Sequence, residues 1–435
     1  MPAERPWYKP NPIVVILILT VVLTIAGYLS RRRPTHPGST LTLWHAYLGL
    51  EQKALERLVR RFNHRHPNIR VRLLQLSFDN LPQKLTNAIP RGHGPDLFIF
   101  SHDRLGDWTG KDLLEPIGYW ITPETAARFL PDMLTPFRAD GALYALPLSY
   151  KSVALFYNKN AVHRPPKTTA ELFQLGRRLT DRSAGRFGLV YPATDTYYHA
   201  PWLHGFGGHF IDPDPCKPEP TIRTRQGVAA LHFARKLAGP QGIVPPEVTG
   251  QLVTTLFKSG RAAMAISGPW FLSALGGANR GLVRFGITPL PKISATGQPA
   301  APLLSVEGIF MSAHCRHKNA AFKVIQALTA DRSSAYRLRQ ARQLPANTAV
   351  DRRLHTIDPL LTAFREQRKT AVLTPATPMM RMIWRPYQKA LAAVISRGKD
   401  AKAALEEARW EIHKTLGACL TAKMQKCKPK REARP

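Results

Sequence analysis

Carboxylates are scarce in this chain. Its 435 residues carry 29 Asp and Glu against 62 Lys and Arg, a formal net charge of +33, while only 21% of residues are charged. Globular chains run at roughly 25% charged, so the imbalance comes from missing acids more than from added bases. An apolar content of 44% excludes disordered and collagen-like classes. The bases are dispersed along helical stretches without any zinc-finger, RNP, KH or basic-zipper pattern, which argues against a nucleic-acid partner. An acidic medium or a polyanionic neighbour such as lipid headgroups would account for the shortage of acids. Cysteine is sparse too. Cys216, Cys315, Cys419 and Cys427 are the four present, none in CxxC spacing, so no zinc site or thioredoxin motif is expected. In an exported chain they allow disulfides, with Cys419 and Cys427 nearest in sequence, and free buried thiols are the other reading. GxSxG, HExxH and the phosphate loop GxxxxGK[ST] are all missing, as is any repeat of 20–50 residues. Nothing here points to an enzyme, a metal or a cofactor.

One long apolar run is present. Residues 13–29 (IVVILILTVVLTIAGYL) hold no charge over seventeen positions, a length between a signal-peptide core and a short membrane span. Arg5 and Lys9 precede it and Arg31, Arg32 and Arg33 follow, so the flanking charges are nearly balanced. Thr24 and Ala26 make a mediocre cleavage signal, and no cysteine lies close enough for a lipid anchor. The segment reads as an uncleaved membrane anchor, with a signal segment as the alternative. The rest of the chain is then exported to the periplasm or cell surface.

Past a Pro/His/Gly/Ser linker, residues 41–44 (LTLW) read as a strand. Residues 51–64 place Leu55, Leu58, Val59 and Phe62 on one helical face, and 69–76 (IRVRLLQL) alternate like a strand. A helix at 79–89 and a buried strand at 96–100 (DLFIF) complete a β-α-β-α-β order, which predicts an α/β lobe with a largely parallel sheet. Residues 144–148 and 153–157 are extended segments leaving this lobe. Helices at 169–179, 225–237 and 249–259 follow, with strands at 261–266, 284–288 and 304–310 and a helical C-terminal third. The tail 423–435, six bases and one acid, reads as a solvated end.

Four stretches now carry a resemblance: GPDLFIFSHDRLGDW (94–108), ALYALPLSYKSVALFYNK (142–159), FKSGRAAMAISGPW (257–270) and PMMRMIWRPYQKAL (378–391). In order and spacing they resemble family 1 extracellular solute-binding proteins, among them the maltose and maltodextrin binders of ABC importers. The resemblance covers residues 41–420. It implies an α/β, two-lobe periplasmic-binding-protein-like fold (type II) with a hinge and an interlobe cleft, preceded here by the N-terminal hydrophobic helix. Residues 1–38 would form the anchor or signal segment and linker, 39–149 plus 304–350 lobe 1, and 150–303 plus 351–422 lobe 2. The implied function is capture of a sugar in the cleft and its delivery to the membrane subunits of an ABC importer. A membrane-anchored sugar-sensing module is the alternative from another class.

The candidate ligand residues follow from chemistry and resemblance together. Asp103 and Arg104 stand just beyond the strand at 96–100, where ligands of open α/β sheets sit, and offer an acceptor beside a planar donor fork. A helix cap and a solvated arginine are the plainer reading of this pair, and the resemblance assigns them to sugar. Trp270 and Trp384 can stack an indole on the apolar face of a pyranose. Isolated tryptophans more often pack in a core, but both align with stacking positions of the resembling proteins. Asp195 and Tyr197 match an acid/aromatic pair from the second lobe, and Phe100 stands where the maltose binders carry tryptophan. Two departures stand out. The Asp-Lys pair expected after the first strand is absent from HAYLGLEQ (45–52), and Lys151 replaces a glutamate. A solvated Lys151 or a changed ligand, such as an acidic or phosphorylated sugar, would explain that reversal. Asp103 and Asp195 could be imagined as a glycosidase pair, but nothing in the sequence sets their separation.

Overall fold

The computed structural model describes residues 11–31, 38–212, 219–276 and 283–423. The uncharged run lies in helix α1 (Pro12–Arg31), where Ile13, Ile16, Leu17, Leu19, Val21, Val22 and Leu23 are exposed. Among the described residues no helix is long and apolar enough to cross a membrane. At 1.5 Å per residue, the seventeen uncharged positions reach about 26 Å against a hydrocarbon core of about 30 Å. A membrane span at this segment is thus not shown by the fold. Cys216, Cys427 and the tail 424–435 lie outside the described residues, and so does the Cys419–Cys427 pairing. Cys315 is a buried free thiol.

In lobe 1, β1 (Ser39–His45) leads through α2 (Gly49–Arg65), β2 (Ile69–Gln75), α3 (Leu81–Ala88) and β3 (Leu97–Ser101) to the short α4 (Leu105–Thr109). After a stretch of short turns comes β4 (Ala145–Lys151). Helix α2 forms because Ala54, Leu55, Leu58, Val59 and Phe62 recur at three- and four-residue spacing and bury one face. Strand β2 buries Ile69 and Val71 and exposes Arg70 and Arg72, the two-residue period of a half-buried strand.

Ser152 and Val153 cross into lobe 2. There β5 (Ala154–Asn158), α5 (Thr169–Leu179), β6 (Phe187–Val190), α6 (Thr196–Gly205), α7 (Arg225–Ala238), α8 (Gly250–Lys258), β7 (Ala262–Ser267), α9 (Trp270–Ala274) and β8 (Phe285–Thr288) follow. The chain returns through β9 (Leu303–Met311) to α10 (Lys318–Thr329), α11 (Asp331–Ala341) and β10 (Leu344–Pro345). The short β11 (Val372–Leu373) precedes α12 (Pro378–Arg397) and α13 (Ala401–Lys423).

The first sheet has seven strands in the order β10-β4-β9-β3-β1-β2, with β11 paired to β9. Pairing is parallel among β2, β1 and β3 and between β9 and β11, and β9 runs antiparallel to both β3 and β4. The expectation of a largely parallel sheet therefore holds for half of it. The reason is topological: β9 enters from the second lobe, at the edge where β1, β3 and β4 leave, so it runs against them. The second sheet is β8-β5-β7-β6. Along β5, Ala154 and Phe156 face one core cluster and Leu155 the other, so helices cover this sheet on both sides. Phe98, Trp108 and Phe310 centre the lobe 1 core, their rings 5.1–5.6 Å apart. That cluster continues onto the second sheet through Phe156, Phe257, Phe271 and Phe285.

Candidate functional site

Just past the carboxyl end of β3, Asp107 meets the first turn of α12, and α6 packs against β9. On the lobe 1 side, β3 ends in a tight turn at His102–Arg104. His102 is fully buried. Its Nδ1 accepts the Val306 N–H at 3.1 Å and its Nε2–H donates to the Thr374 carbonyl at 2.8 Å. One neutral imidazole thus ties β3 to two of the strands that cross between lobes. Burial pulls its pKa down, against opposing pulls from Asp103 and the two backbone bonds. Arg104 turns toward carboxylates of its own lobe, 3.9 Å from Asp103 and 3.6 Å from Asp107. Asp107 also receives Arg381, from α12 of the other lobe, at 2.9 Å. Asp103 Oδ1 is buried with no hydrogen-bond partner among the described residues, an acceptor left without a donor.

Phe100 sits deeper than its sequence position suggested. Only 3% exposed, it is stacked beneath Phe78 at 4.9 Å and packs edge-on to Trp108 at 5.6 Å. Phe78, which is 56% exposed, presents the open ring at this place.

On the lobe 2 side, Asp195 caps α6 by accepting the Tyr197 N–H at 2.8 Å. Burial raises its pKa, and the backbone N–H groups of Tyr197 and Tyr198 oppose the rise. The Tyr197 ring lies 6.4 Å from Trp270, and its hydroxyl faces Ser305 at the start of β9. This residue therefore spans from lobe 2 to the hinge strand. Tyr198 packs at right angles to Tyr197, 5.7 Å away, and its hydroxyl faces Ser267 and Trp270. Trp270 opens α9 with its indole folded over Gly268; a methyl at position 268 would fall inside the ring. Trp384, half-buried on α12, stands 6.4 Å from Phe210, and its carbonyl accepts the Thr196 hydroxyl at 3.1 Å. So Asp195, Tyr197 and Trp270 gather at the hinge, whereas Trp384 joins a neighbouring aromatic group through the N-terminus of α6.

Lys151 is neither solvated nor a free cation. Its Nζ pairs with Glu307 at 2.9 Å and Glu51 at 3.5 Å and lies 5.6 Å from the centre of the Tyr47 ring. Burial would lower the lysine pKa, but the charges of Glu307 and Glu51 outweigh it and raise it. Glu307 in turn accepts the Tyr47 and Ser149 hydroxyls at 3.2 and 3.0 Å, and Glu51 accepts Gln343 at 3.1 Å. The buried guanidinium of Arg337 faces Glu307 and Tyr47 as well. Two cations balance two carboxylates, and this removes the reason to expect an anionic ligand.

Glu51, Glu307, Tyr47, Phe78, Tyr198 and Arg381 were not singled out from the sequence. A signal for two of them was present: Lys151 in ALPLSYKSV and Glu307 in LLSVEGIFM are lone charges in buried strands, and such charges need each other. Among the described residues no three His, Cys, Asp or Glu side chains come together to hold a metal. The arrangement offers acceptors, one ammonium and aromatic faces, the means of holding a neutral polyhydroxylated molecule.

Comparison with known proteins gives the family and the fold. Residues 48–335 match the family model described as bacterial extracellular solute-binding protein. The maltotriose-binding protein of Pyrococcus abyssi is 27% identical over 383 residues, covering 86% of this chain and 82% of that protein. The galactooligosaccharide-binding protein of Bacillus subtilis is 25% identical over 415 residues, covering 91% and 94%. Among solved structures, the Thermus thermophilus maltotriose binding protein bound with maltotriose superposes with a TM-score of 0.79 at 27% identity, over 86% of this chain and all of that one. The maltose/maltodextrin-binding domain from Bdellovibrio bacteriovorus, bound to maltotriose, gives 0.78 at 25% identity, over 87% and 99%.

Proposed function

The chain belongs to the bacterial extracellular solute-binding protein family, and we propose that it captures a neutral oligosaccharide of the maltodextrin kind between its lobes and passes it to the membrane subunits of an ABC importer. The observation that carries this reading is the meeting of Tyr197 and Trp270 from lobe 2 with Ser305 and the Lys151–Glu307 pair at the hinge. A sugar needs both an aromatic plate and convergent polar groups, and here each lobe supplies a share. Asp103 and Asp195 act as hydroxyl acceptors, Arg104 as a donor, and Trp270 and Trp384 as stacking faces. On lobe 1 the exposed Phe78 takes the stacking role, with Phe100 as its backing. The lobes are taken as residues 39–149 with 304–350, and 150–303 with 351–422. Ligand touching both lobes favours the closed arrangement through its extra contacts there, and binding proceeds without turnover. Residues 13–29 hold the exported protein beside its importer, raising its local concentration.

Isothermal titration of the purified chain with maltotriose tests the reading. Saturable heat is expected, and Trp270→Ala should weaken binding by at least about ten-fold, equivalent to about 1.4 kcal/mol. The absence of binding to maltotriose and to galactooligosaccharides alike would overturn the sugar assignment.

A further inference from the structure

Away from the cleft, lobe 1 carries a face that the sugar reading leaves unused. Tyr119 is 67% exposed. Its ring lies 3.9 Å from that of Trp120, which stacks in turn on Phe322 of α10 at 5.0 Å. The Trp120 Nε1–H donates to Asn319 at 3.3 Å, so the rings form a fixed ladder that ends in solvent at Tyr119. A groove beside it is lined by Ser39, Ile69, Trp120, Arg316 and Lys323. Arg316 and Lys323 are exposed, and among the described residues no hydrogen bond or ion pair engages either side chain. Glu115 is neutralised by Lys318 at 2.7 Å and accepts the Tyr119 hydroxyl at 3.2 Å. The face is therefore aromatic and basic, with its acid already engaged.

The position of this face points to what covers it. Ser39 and Ile69 are the first residues of the parallel strands β1 and β2 and stand in register, so the groove opens at the amino edge of the sheet. Asp103 and Arg104 follow the carboxyl end of β3, a strand length of about 20 Å away. A partner seated in the groove leaves the cleft free. Six residues separate Arg31, the end of α1, from Gly38, and fully extended this link reaches about 25 Å. With residues 13–29 holding the chain at a membrane, Ser39 and its groove stay within that reach of the lipid surface. Arg31, Arg32 and Arg33 add three positive charges at the start of the same link.

We propose that this face of lobe 1 docks on anionic lipid headgroups, with Tyr119 entering the headgroup layer and Arg316 and Lys323 contacting the phosphates. Tyrosine and tryptophan suit the boundary between lipid and water, since each joins an apolar ring to a polar tip. Basic side chains are drawn to an anionic leaflet within about a Debye length, about 10 Å at 0.1 M salt. Docked in this way, the molecule turns its cleft away from the lipid and open to incoming sugar. A contact made by so few charges is reversible, which leaves the molecule free to turn toward the importer. The nearness of the membrane rests on the anchor reading of residues 13–29, whereas the charge and ring chemistry of the face does not.

The test mixes the full-length chain with vesicles of phosphatidylcholine alone, or of phosphatidylcholine with phosphatidylglycerol. Flotation reports the anchor, and hydroxyl-radical footprinting of the Tyr119 ring reports the face. On the mixed vesicles Tyr119 oxidation should fall at least about three-fold below its level on the neutral ones, and about 1 M sodium chloride should restore it. Arg316→Glu with Lys323→Glu should abolish the protection. Arg177→Glu with Lys236→Glu, an equal charge change at exposed positions of lobe 2, should keep it. Equal oxidation on both kinds of vesicle, equal loss in the two double variants, or protection by inorganic phosphate without vesicles would overturn the proposal. Flotation with the mixed vesicles alone, with Tyr119 protected, would overturn the anchor reading and leave the lipid-docking face standing. Flotation with neither kind would overturn both.

Discussion

Lys151 shows how a single residue can be misjudged when its partners are distant in sequence. A lysine in place of an acid suggested a solvated side chain or an anionic ligand, and the structure instead buries it between Glu307 and Glu51. The three positions are separated by one hundred residues or more, so no local pattern joined them. What the sequence did contain was a charge stranded in each of two buried strands, which is a demand for pairing. Removing one partner of a buried pair leaves the other uncompensated, so Lys151→Met should lower unfolding free energy by about 3–5 kcal/mol in denaturant titration. Glu51→Gln leaves Lys151 paired with Glu307 and should cost at most about 1 kcal/mol. Equal losses in the two variants would show that the carboxylates do not share the ammonium as described. Phe100 teaches the same lesson: alignment found the place, but burial hands the open ring to Phe78.

Among the elements, those with strong periodicity were legible. The apolar face of α2, the alternation of β2 and the spans of α5 and α7 agree with the sequence reading to within a residue or two. Helices α6 and α9 were not read as helices. Their cue is at the ends: Asp195 caps α6, and Pro269 precedes α9. The antiparallel course of β9 was also hidden, because strand direction depends on where a long connection re-enters the sheet. Element ends also carry the site, which makes them testable. Asp195→Ala removes the cap of α6 and should cost about 1 kcal/mol of stability, whereas Asp195→Asn should keep most of it. If Asp195 also accepts a sugar hydroxyl, Asp195→Asn will still lose maltotriose affinity in calorimetry. Affinity retained in Asp195→Asn would restrict this residue to capping. Gly268→Ala should displace the Trp270 indole from its seat and be read as a change in tryptophan emission together with weaker maltotriose binding.

At the scale of the whole molecule, buried histidines set a pH limit that the scarcity of acids does not. Burial lowers the pKa of His199 to about 3 and those of His45 and His204 to about 4. Each is neutral when folded and binds a proton near pH 6.5 when unfolded. The stability they contribute is therefore complete above about pH 6.5 and is lost progressively as pH falls toward 4. Glu51, Asp195 and Asp351, whose pKa values burial raises, act in the opposite sense and offset part of the loss at the acid end. Melting temperature should fall from pH 7 to pH 5, and His199→Phe should flatten that slope; an unchanged slope would show that His199 is hydrated and protonates in the folded state.

The most direct test of the central claim is a thermal-shift titration of the purified chain against maltotriose and phosphorylated maltose in parallel, since a ligand that binds only the native state raises the melting temperature by mass action. The account predicts a dose-dependent rise with maltotriose, lost in Trp270→Ala, and none with the phosphorylated sugar at matched concentrations. A rise with the phosphorylated sugar alone would contradict it.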